Sequence, residues 1–380
     1  MLFEPPALGA AEHAVLEQLE ELKRSLRLRL GEPRRWAGSL RRLSFARAIQ
    51  GSNSIEGFDA ALDDAAAVAM GEEPLDAGSE TRLALEGYRN AMTYVLQIAD
   101  EPGFAYDLRL LQSLHFMMTS YHLANRPGRW RSGDIFVRND ETNEIVYEGA
   151  DLDHVPTLMA ELVESLNADT ATPLVVRASL AHLNLVMIHP FRDGNGRMAR
   201  CLQSLVLARG GVLAPTFMSI EEYLGRNTRA YYDALAEAGG GRWQPERDTS
   251  RWVRFTLTAH LRQARTLLRR ITESERLWTE LEVVAKANGL PERTLGALYD
   301  AAQGLRVRNA TYRAASAESG EDVSEQTASR DFRQLVAADL LTPHGASRGR
   351  FYTASDDLRR MRRAIVGERA ARDDSDPFAA

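Results

Sequence analysis

The chain has 380 residues, a formal net charge of −6, and 44% hydrophobic and 26% charged residues, a globular composition with room for more than one domain. That charge excludes general coating of nucleic acid, and no run approaches the roughly 20 apolar residues that a membrane-spanning helix needs. The single cysteine, Cys201, excludes an internal disulfide and fits a reducing cytoplasm, and the N-terminus, with Glu4 before two prolines, does not read as a signal peptide.

In chain order, Leu16, Leu19, Leu22, Leu26 and Leu30 recur at three- and four-residue steps and predict an amphipathic helix within an N-terminal segment, 1–34. Helix continues from Leu40 to Ile49, and Glu56 is expected on or beside a short helix after it. Taken alone, Ser52-x-x-x-Glu56 is an ordinary capping pattern. Residues 80–99 and 107–121 repeat the helical pattern. Alternating runs on either side of Asn139–Asn143 then predict a β-hairpin over about 134–150. Helix returns from Pro156 to about Leu207, broken near His189, with Cys201 on the apolar side. Three glycines at 239–241 predict a loop, and a long helix follows from Thr249 to about Leu281. Residues 293–303, 310–318 and 324–335 read as three helices, the last capped by Ser324, and two short strands follow. Residues 365–380, charged and ending in Asp-Pro-Phe-Ala-Ala, are expected to be a disordered tail.

The densest chemistry lies in His189-Pro-Phe-Arg-Asp-Gly-Asn-Gly-Arg-Met-Ala-Arg200. An apolar helix ends at Pro190 and a second begins near Asn195, so Asp193-Gly194-Asn195-Gly196 turns into a helix N-terminus. Free backbone N–H groups and the helix dipole favour phosphate oxygens there. Arg197 and Arg200 sit three apart on one face, where a polyphosphate would lie. Asp193 can hold Mg²⁺, which binds through one or two carboxylates plus substrate phosphates. His189 faces the same loop and titrates near neutrality, as a general base requires. A calcium loop is excluded, because Met198 stands where its glycine is needed and Ser204 where its glutamate is needed.

These twelve residues resemble the signature of the Fic family, matching it at every fixed position. The resemblance implies a mainly α Fic-type helical bundle with a β-hairpin flap, spanning about 35–270. It also implies transfer of AMP from ATP to a Ser, Thr or Tyr hydroxyl of a target protein. His189 would take the hydroxyl proton and Asp193 would coordinate Mg²⁺. Gly194, Asn195, Gly196 and Arg197 would hold the α- and β-phosphates, and Arg200 the γ-phosphate. Ser52 to Gly57 resembles the family's inhibitory pattern, in which Glu56 would reach Arg200 and block the productive pose. Tyr231 and Tyr232 resemble a tyrosine pair near the nucleotide, one of them core and the other lining the pocket. The hairpin resembles the flap that clamps the target chain as an added strand. Where that flap usually continues into paired prolines, this chain has Glu148-Gly149-Ala150-Asp151.

After a linker helix over 271–288, residues 289–364 look like a winged helix–turn–helix. In DNA-binding versions Gln326, Ser329, Arg330 and Arg333 would face the duplex, with Arg348 and Arg350 at the wing tip. Glu325, Asp331 and the weak positive charge instead favour protein contact or a homodimer over DNA binding through residues 324–353. Two further readings of the chain are a nucleotide-sensing transcriptional regulator and an enzyme that removes AMP with Glu56 activating water.

Overall fold

The computed structural model of the chain describes residues 1–380 apart from 32–33, 139–141, 169, 212–218, 347–348, 372 and 380. It runs α1 (Ala10–Leu30), α2 (Arg35–Ser54), α3 (Leu62–Ala69), α4 (Ser79–Ile98) and α5 (Leu108–Thr119), then a hairpin of β1 (Phe136–Arg138) and β2 (Ile145–Glu148). Next come α6 (Val155–Asn167), α7 (Leu174–Ile188), α8 (Asn195–Arg209), α9 (Glu221–Arg226), α10 (Thr228–Gly239) and α11 (Ser250–Ala287). The C-terminal part holds α12 (Leu295–Ala302), α13 (Asn309–Glu318), α14 (Glu325–Ala337), the antiparallel strands β3 (Leu341–His344) and β4 (Phe351–Ala354), and α15 (Asp356–Gly367). No described helix is long and apolar enough to cross a membrane.

The unbroken apolar character of α7 decides its place. Only Leu174, Arg177 and Val186 of its residues escape full burial, and it packs between α6, α8 and α11. Its partner α8 runs back alongside it, so the turn that joins them projects from the centre of the bundle. The leucine stripe of α1 buries Val15, Leu19 and Leu26, and that face lies on α11. Where α2 crosses α9, backbone meets backbone. A Cβ at Gly51 would overlap the Glu221 carbonyl oxygen, and Gly225 faces Gly51 from the other side. Only glycine allows that approach, and it fixes where α2 ends.

Four expectations differ from this architecture. No separate short helix follows Ile49: α2 runs on through Gly51-Ser52-Asn53-Ser54, weak helix formers held by Asn53 Nδ2 donating to the Ile49 carbonyl (2.8 Å). Gly57, at φ +81°, then ends the run. Helix α3 went unpredicted, its alanine-rich Leu62–Ala69 lacking a clear stripe. The long helix expected to end near Leu281 continues to Ala287 and so takes in the linker helix expected over 271–288. The expected tail begins inside α15, and beyond it Arg265 pairs with Asp373 at 2.6 Å, Arg262 donates to the Asp374 carbonyl at 2.7 Å and Arg254 covers the Phe378 ring. Those cations on α11 give the acidic end somewhere to bind, which composition alone does not reveal.

The C-terminal helices and strands follow the predicted order, with Ser324 accepting from the Thr327 N–H. Gln326, Ser329, Arg330, Arg333 and Arg350 are exposed. Asp331 is not a surface charge: it is fully buried, bidentate to Arg293 (2.7 Å twice) and accepts from the Tyr312 hydroxyl (2.9 Å). The turn expected over Asn139–Asn143 lies partly outside the described residues, as does Arg348.

Candidate active site

His189 ends α7 in a left-handed conformation, φ 55° and ψ 56°, which swings its ring out of the helix while Pro190 prevents continuation. That strained turn is held from outside. Arg131, buried, donates through Nε to the His189 carbonyl (3.0 Å), and its backbone N–H donates to the Pro190 carbonyl (2.8 Å). The half-buried His189 ring faces the Val186 carbonyl through Nδ1 at 3.0 Å, so Nδ1 carries the proton and Nε2 offers its lone pair. Burial lowers its pKa below the usual histidine value, only partly opposed by the Val186 bond, so the ring is a free base at neutral pH.

The loop that follows is braced on both sides. Asn195 spends its whole side chain on Phe191, accepting from the Phe191 N–H and donating to its carbonyl, both at 2.9 Å. Its contribution toward an anion is therefore its backbone N–H. Met198 N–H to the Gly194 carbonyl is the first helical bond of α8, which leaves the amides of 195–197 without a helical partner. Gly194 needs its glycine, at φ +75° with Thr119 against it. His115 supports the loop from below. It accepts from the Gly128 N–H at Nδ1 (2.8 Å), donates from Nε2 to the Asp193 carbonyl (2.9 Å) and stacks on Phe191 at 3.7 Å. Burial pushes its pKa down to about 4, so it holds this neutral tautomer.

Asp193 stays half-exposed. It accepts from its neighbour's N–H at Gly194 (2.7 Å) and from Asn125 Nδ2 (3.0 Å), with Arg197 at 3.7 Å. Arg197 is buried, donates to the Tyr121 hydroxyl (3.1 Å) and lies over the Phe58 ring.

Arg200 is more completely tied. Its Nε donates to Ser52 Oγ (2.8 Å), and Nη2 donates to the Ser52 carbonyl (2.8 Å) and to Glu56 Oε1 (2.7 Å). The contact sits at the C-terminal end of α2, where unpaired carbonyls and the negative end of the dipole favour a cation. Burial alone would lower the Arg200 pKa, but Glu56 and its other neighbours hold it above the ordinary value. The Glu56 carboxylate also occupies the space where a Cβ on Gly196 would stand.

Of the two tyrosines, Tyr231 is buried and Tyr232 half-exposed, its hydroxyl donating to the Ile55 carbonyl at 3.1 Å beside Glu56. Behind Arg200 runs a buried chain of bonds. Arg200 Nη1 lies 3.5 Å from the Tyr231 hydroxyl, which bonds His182 Nε2 (2.9 Å); His182 Nδ1 meets Gln203 (2.6 Å), and Gln203 reaches His260 (3.2 Å). Burial brings both histidines down to about 3, so the chain is neutral at pH 7. Residues Ser52, Glu56, His189, Asp193, Arg197, Arg200, Tyr231 and Tyr232 thus converge, although they span four helices or their ends. Sequence reading missed His115, Asn125, Tyr121 and the Arg131 clamp, each a single polar residue with no local pattern to flag it. Asp151 and Asp153 are exposed, and the described residues include no cluster of three or more His, Cys, Asp or Glu fit for a metal.

A family model described as Fic/DOC family matches residues 105–207. The chain is similar to protein adenylyltransferase fic-1 of Caenorhabditis elegans, 36% identical over 96 residues, covering 24% of this chain and 18% of that protein. It is also similar to protein adenylyltransferase Fic of Nematostella vectensis, 28% identical over 185 residues, 46% of this chain and 39% of that protein. The chain therefore spans well under half the length of these curated relatives. In fold it is similar to a Fic family protein from Desulfovibrio desulfuricans G20, with TM-score 0.57 and 21% identity over 93% of this chain and 98% of that one. Glu56, Tyr231 and Tyr232 lie outside the matched segment and reach its motif from flanking helices. Residues 105–207, from the start of α5 through nearly all of α8, are a Fic/DOC family domain.

Proposed function

We propose that this chain is a protein adenylyltransferase that moves AMP from ATP to a Ser, Thr or Tyr hydroxyl of a target protein, and that Glu56 holds it in check. The observation that carries this is the convergence on one helix N-terminus of a free-base His189, the 195–197 amides and Arg200, with Glu56 on Arg200 at 2.7 Å. The target oxygen attacks the α-phosphorus while its proton passes to His189 Nε2. The bond from that phosphorus to the bridging oxygen breaks, and pyrophosphate leaves. Helix-end amides and guanidiniums meet the developing charge, which is most of what phosphoryl-type transfer asks of a protein. Asp193 fits Mg²⁺: it is half-exposed, each carboxylate oxygen keeps lone-pair capacity, and a single carboxylate suits an ion otherwise held by phosphates and water. Such an ion would neutralise phosphate charge.

Features of the hairpin support a role in target capture. Gly149 packs against His189, and β2 pairs on its far side with residues 241–242, leaving one edge of β1 unpaired among the described residues. Phe136, Ile145 and Val146 are exposed on it. A carboxylate on Arg200 removes a phosphate partner and places like charge beside ATP, which is a sufficient brake.

The test is transfer of label from α-labelled ATP to protein in host lysate, in a Glu56→Gly background, beside UTP, GTP and CDP-choline. Label from ATP alone, falling about 10²–10⁴-fold on adding His189→Ala, is the expected result. Silence with every nucleotide, or label indifferent to His189, would overturn the proposal.

A further inference from the structure

A second arginine site lies away from the motif, at the junction of α2, α9, α11, α12 and α15. A cavity of about 200 Å³ there is lined by six arginines, Arg47, Arg226, Arg269, Arg270, Arg362 and Arg369, and by one carboxylate, Glu273. Glu222 stands behind them. Their pairing is lopsided. Glu222 meets Arg270 (2.6 Å), Arg226 (2.7 Å) and Arg47 (3.8 Å), and Glu273 meets Arg369, Arg362 (3.7 Å) and Arg269 (3.9 Å). Three guanidiniums share each carboxylate. Two of these side chains keep a nitrogen with nothing to bond: Arg47 Nη1 and Arg362 Nη1 are buried without a hydrogen-bond partner among the described residues. The Arg47 side chain is 12% exposed and that of Arg362 19%, so both guanidiniums are largely withdrawn from bulk solvent. Burial, then the neighbouring Arg270 charge, pulls the Arg47 pKa down to about 10, which marks crowded positive charge.

Guanidiniums that outnumber their carboxylates three to one, two of them with a buried nitrogen left unbonded, leave charge and donors that a ligand can meet. We propose that this cavity binds a small phosphate-class polyanion, a di- or triphosphate group, independently of the motif at His189–Arg200. Several guanidinium forks around one volume match oxygens on more than one phosphorus better than a single carboxylate. The cavity continues, through the shared Arg226, Arg269, Glu273 and Arg369, into one of about 700 Å³. That volume also lies against Tyr223 and Asn227 and can take whatever the phosphates are attached to.

Calorimetric titration of the full chain tests this with inorganic pyrophosphate, inorganic triphosphate and ADP as probes, in phosphate- and sulfate-free buffer. Arg362→Gln and Arg47→Gln remove lining charge, Arg362→Lys restores it, and Arg200→Gln removes an anion contact of the motif alone. The proposal expects pyrophosphate or triphosphate binding that weakens at least about tenfold in each glutamine variant. Arg362→Lys recovers part of that loss, and Arg200→Gln leaves the inorganic probes unaffected. ADP binding more tightly than pyrophosphate through the same arginines identifies a nucleotide-borne source, and the reverse identifies a free polyphosphate. Thermal unfolding separates this from a structural role: without anions neither glutamine variant melts below wild type, since each relieves repulsion. No binding at millimolar probe, binding indifferent to both glutamine variants, or lower melting of both without ligand would each overturn it.

Discussion

Two buried guanidinium sites share the helix α2, and they differ in how their charge is met. At its C-terminal end Arg200 has a carboxylate, a carbonyl and a hydroxyl within 2.8 Å, and a tyrosine behind. Two turns earlier Arg47 has one shared carboxylate at 3.8 Å and a nitrogen with no partner. The first arrangement is complete without a ligand, so a ligand has to compete with Glu56 to enter it. The second is incomplete, so a ligand completes it. On the two proposals made above, satisfied burial makes a switch and unsatisfied burial makes a receptor.

Acid gives the largest expected effect, and it strikes the Arg200 side of the comparison. His115, His182 and His260 have pKa values of about 4, 3 and 3 in the folded protein, below the ordinary 6.5. The unfolded chain therefore takes up their protons first, so their neutral state stabilises the fold above pH 6.5. That contribution is lost as pH falls from 6.5 toward 4 and 3, on the order of 2 kcal/mol per histidine by pH 5. Glu221 and Asp300, whose pKa values burial raises, the second to about 6, work in the opposite direction but are two groups against three. Thermal unfolding at pH 7 and pH 5 should show a fall of many degrees; an unchanged midpoint would contradict the neutral network.

Next in size is Gly51→Ala, which forces apart the α2–α9 crossing that both sites share. Overpacking of this kind costs about 1–3 kcal/mol. Since the displaced helix carries Glu56, basal label transfer should rise while the melting temperature falls; lower melting with unchanged transfer would uncouple the crossing from the brake. Ser52→Ala removes one acceptor from Arg200 and should cost about 1 kcal/mol, read by denaturant unfolding, with a modest rise in basal transfer. Arg47→Gln is expected to cost nothing without anions, and that contrast with Ser52→Ala, measured in the same buffer, is the sharpest form of the comparison.

The motif was legible in sequence because its chemistry is contiguous. Twelve residues supply the base, the carboxylate, the amides and both arginines, and a helix break between two apolar runs fixes their geometry. The position of Glu56 was not legible from spacing, and only the resemblance implied its contact with Arg200, which the structure has at 2.7 Å. Ser52 followed by Glu56 reads as a helix start, and only the Arg200 contact and the Gly51 crossing show it to be a helix end. His115, Asn125 and Arg131 were invisible because each reaches the motif from 58 or more positions away. The second arginine site was equally hidden, since its six cations come from four elements or their ends. The C-terminal helices and strands were readable from capping and alternation, whereas the burial of Asp331 depended on Arg293, 38 positions away.

The most direct single measurement is the initial rate of label transfer from α-labelled ATP, for Glu56→Gly against wild type at the same protein concentration. A charge-assisted bond to Arg200 corresponds to about 1.5–3 kcal/mol, so releasing it should raise the rate roughly 10- to 100-fold. Equal rates would mean that the 2.7 Å contact between Glu56 and Arg200 is no brake.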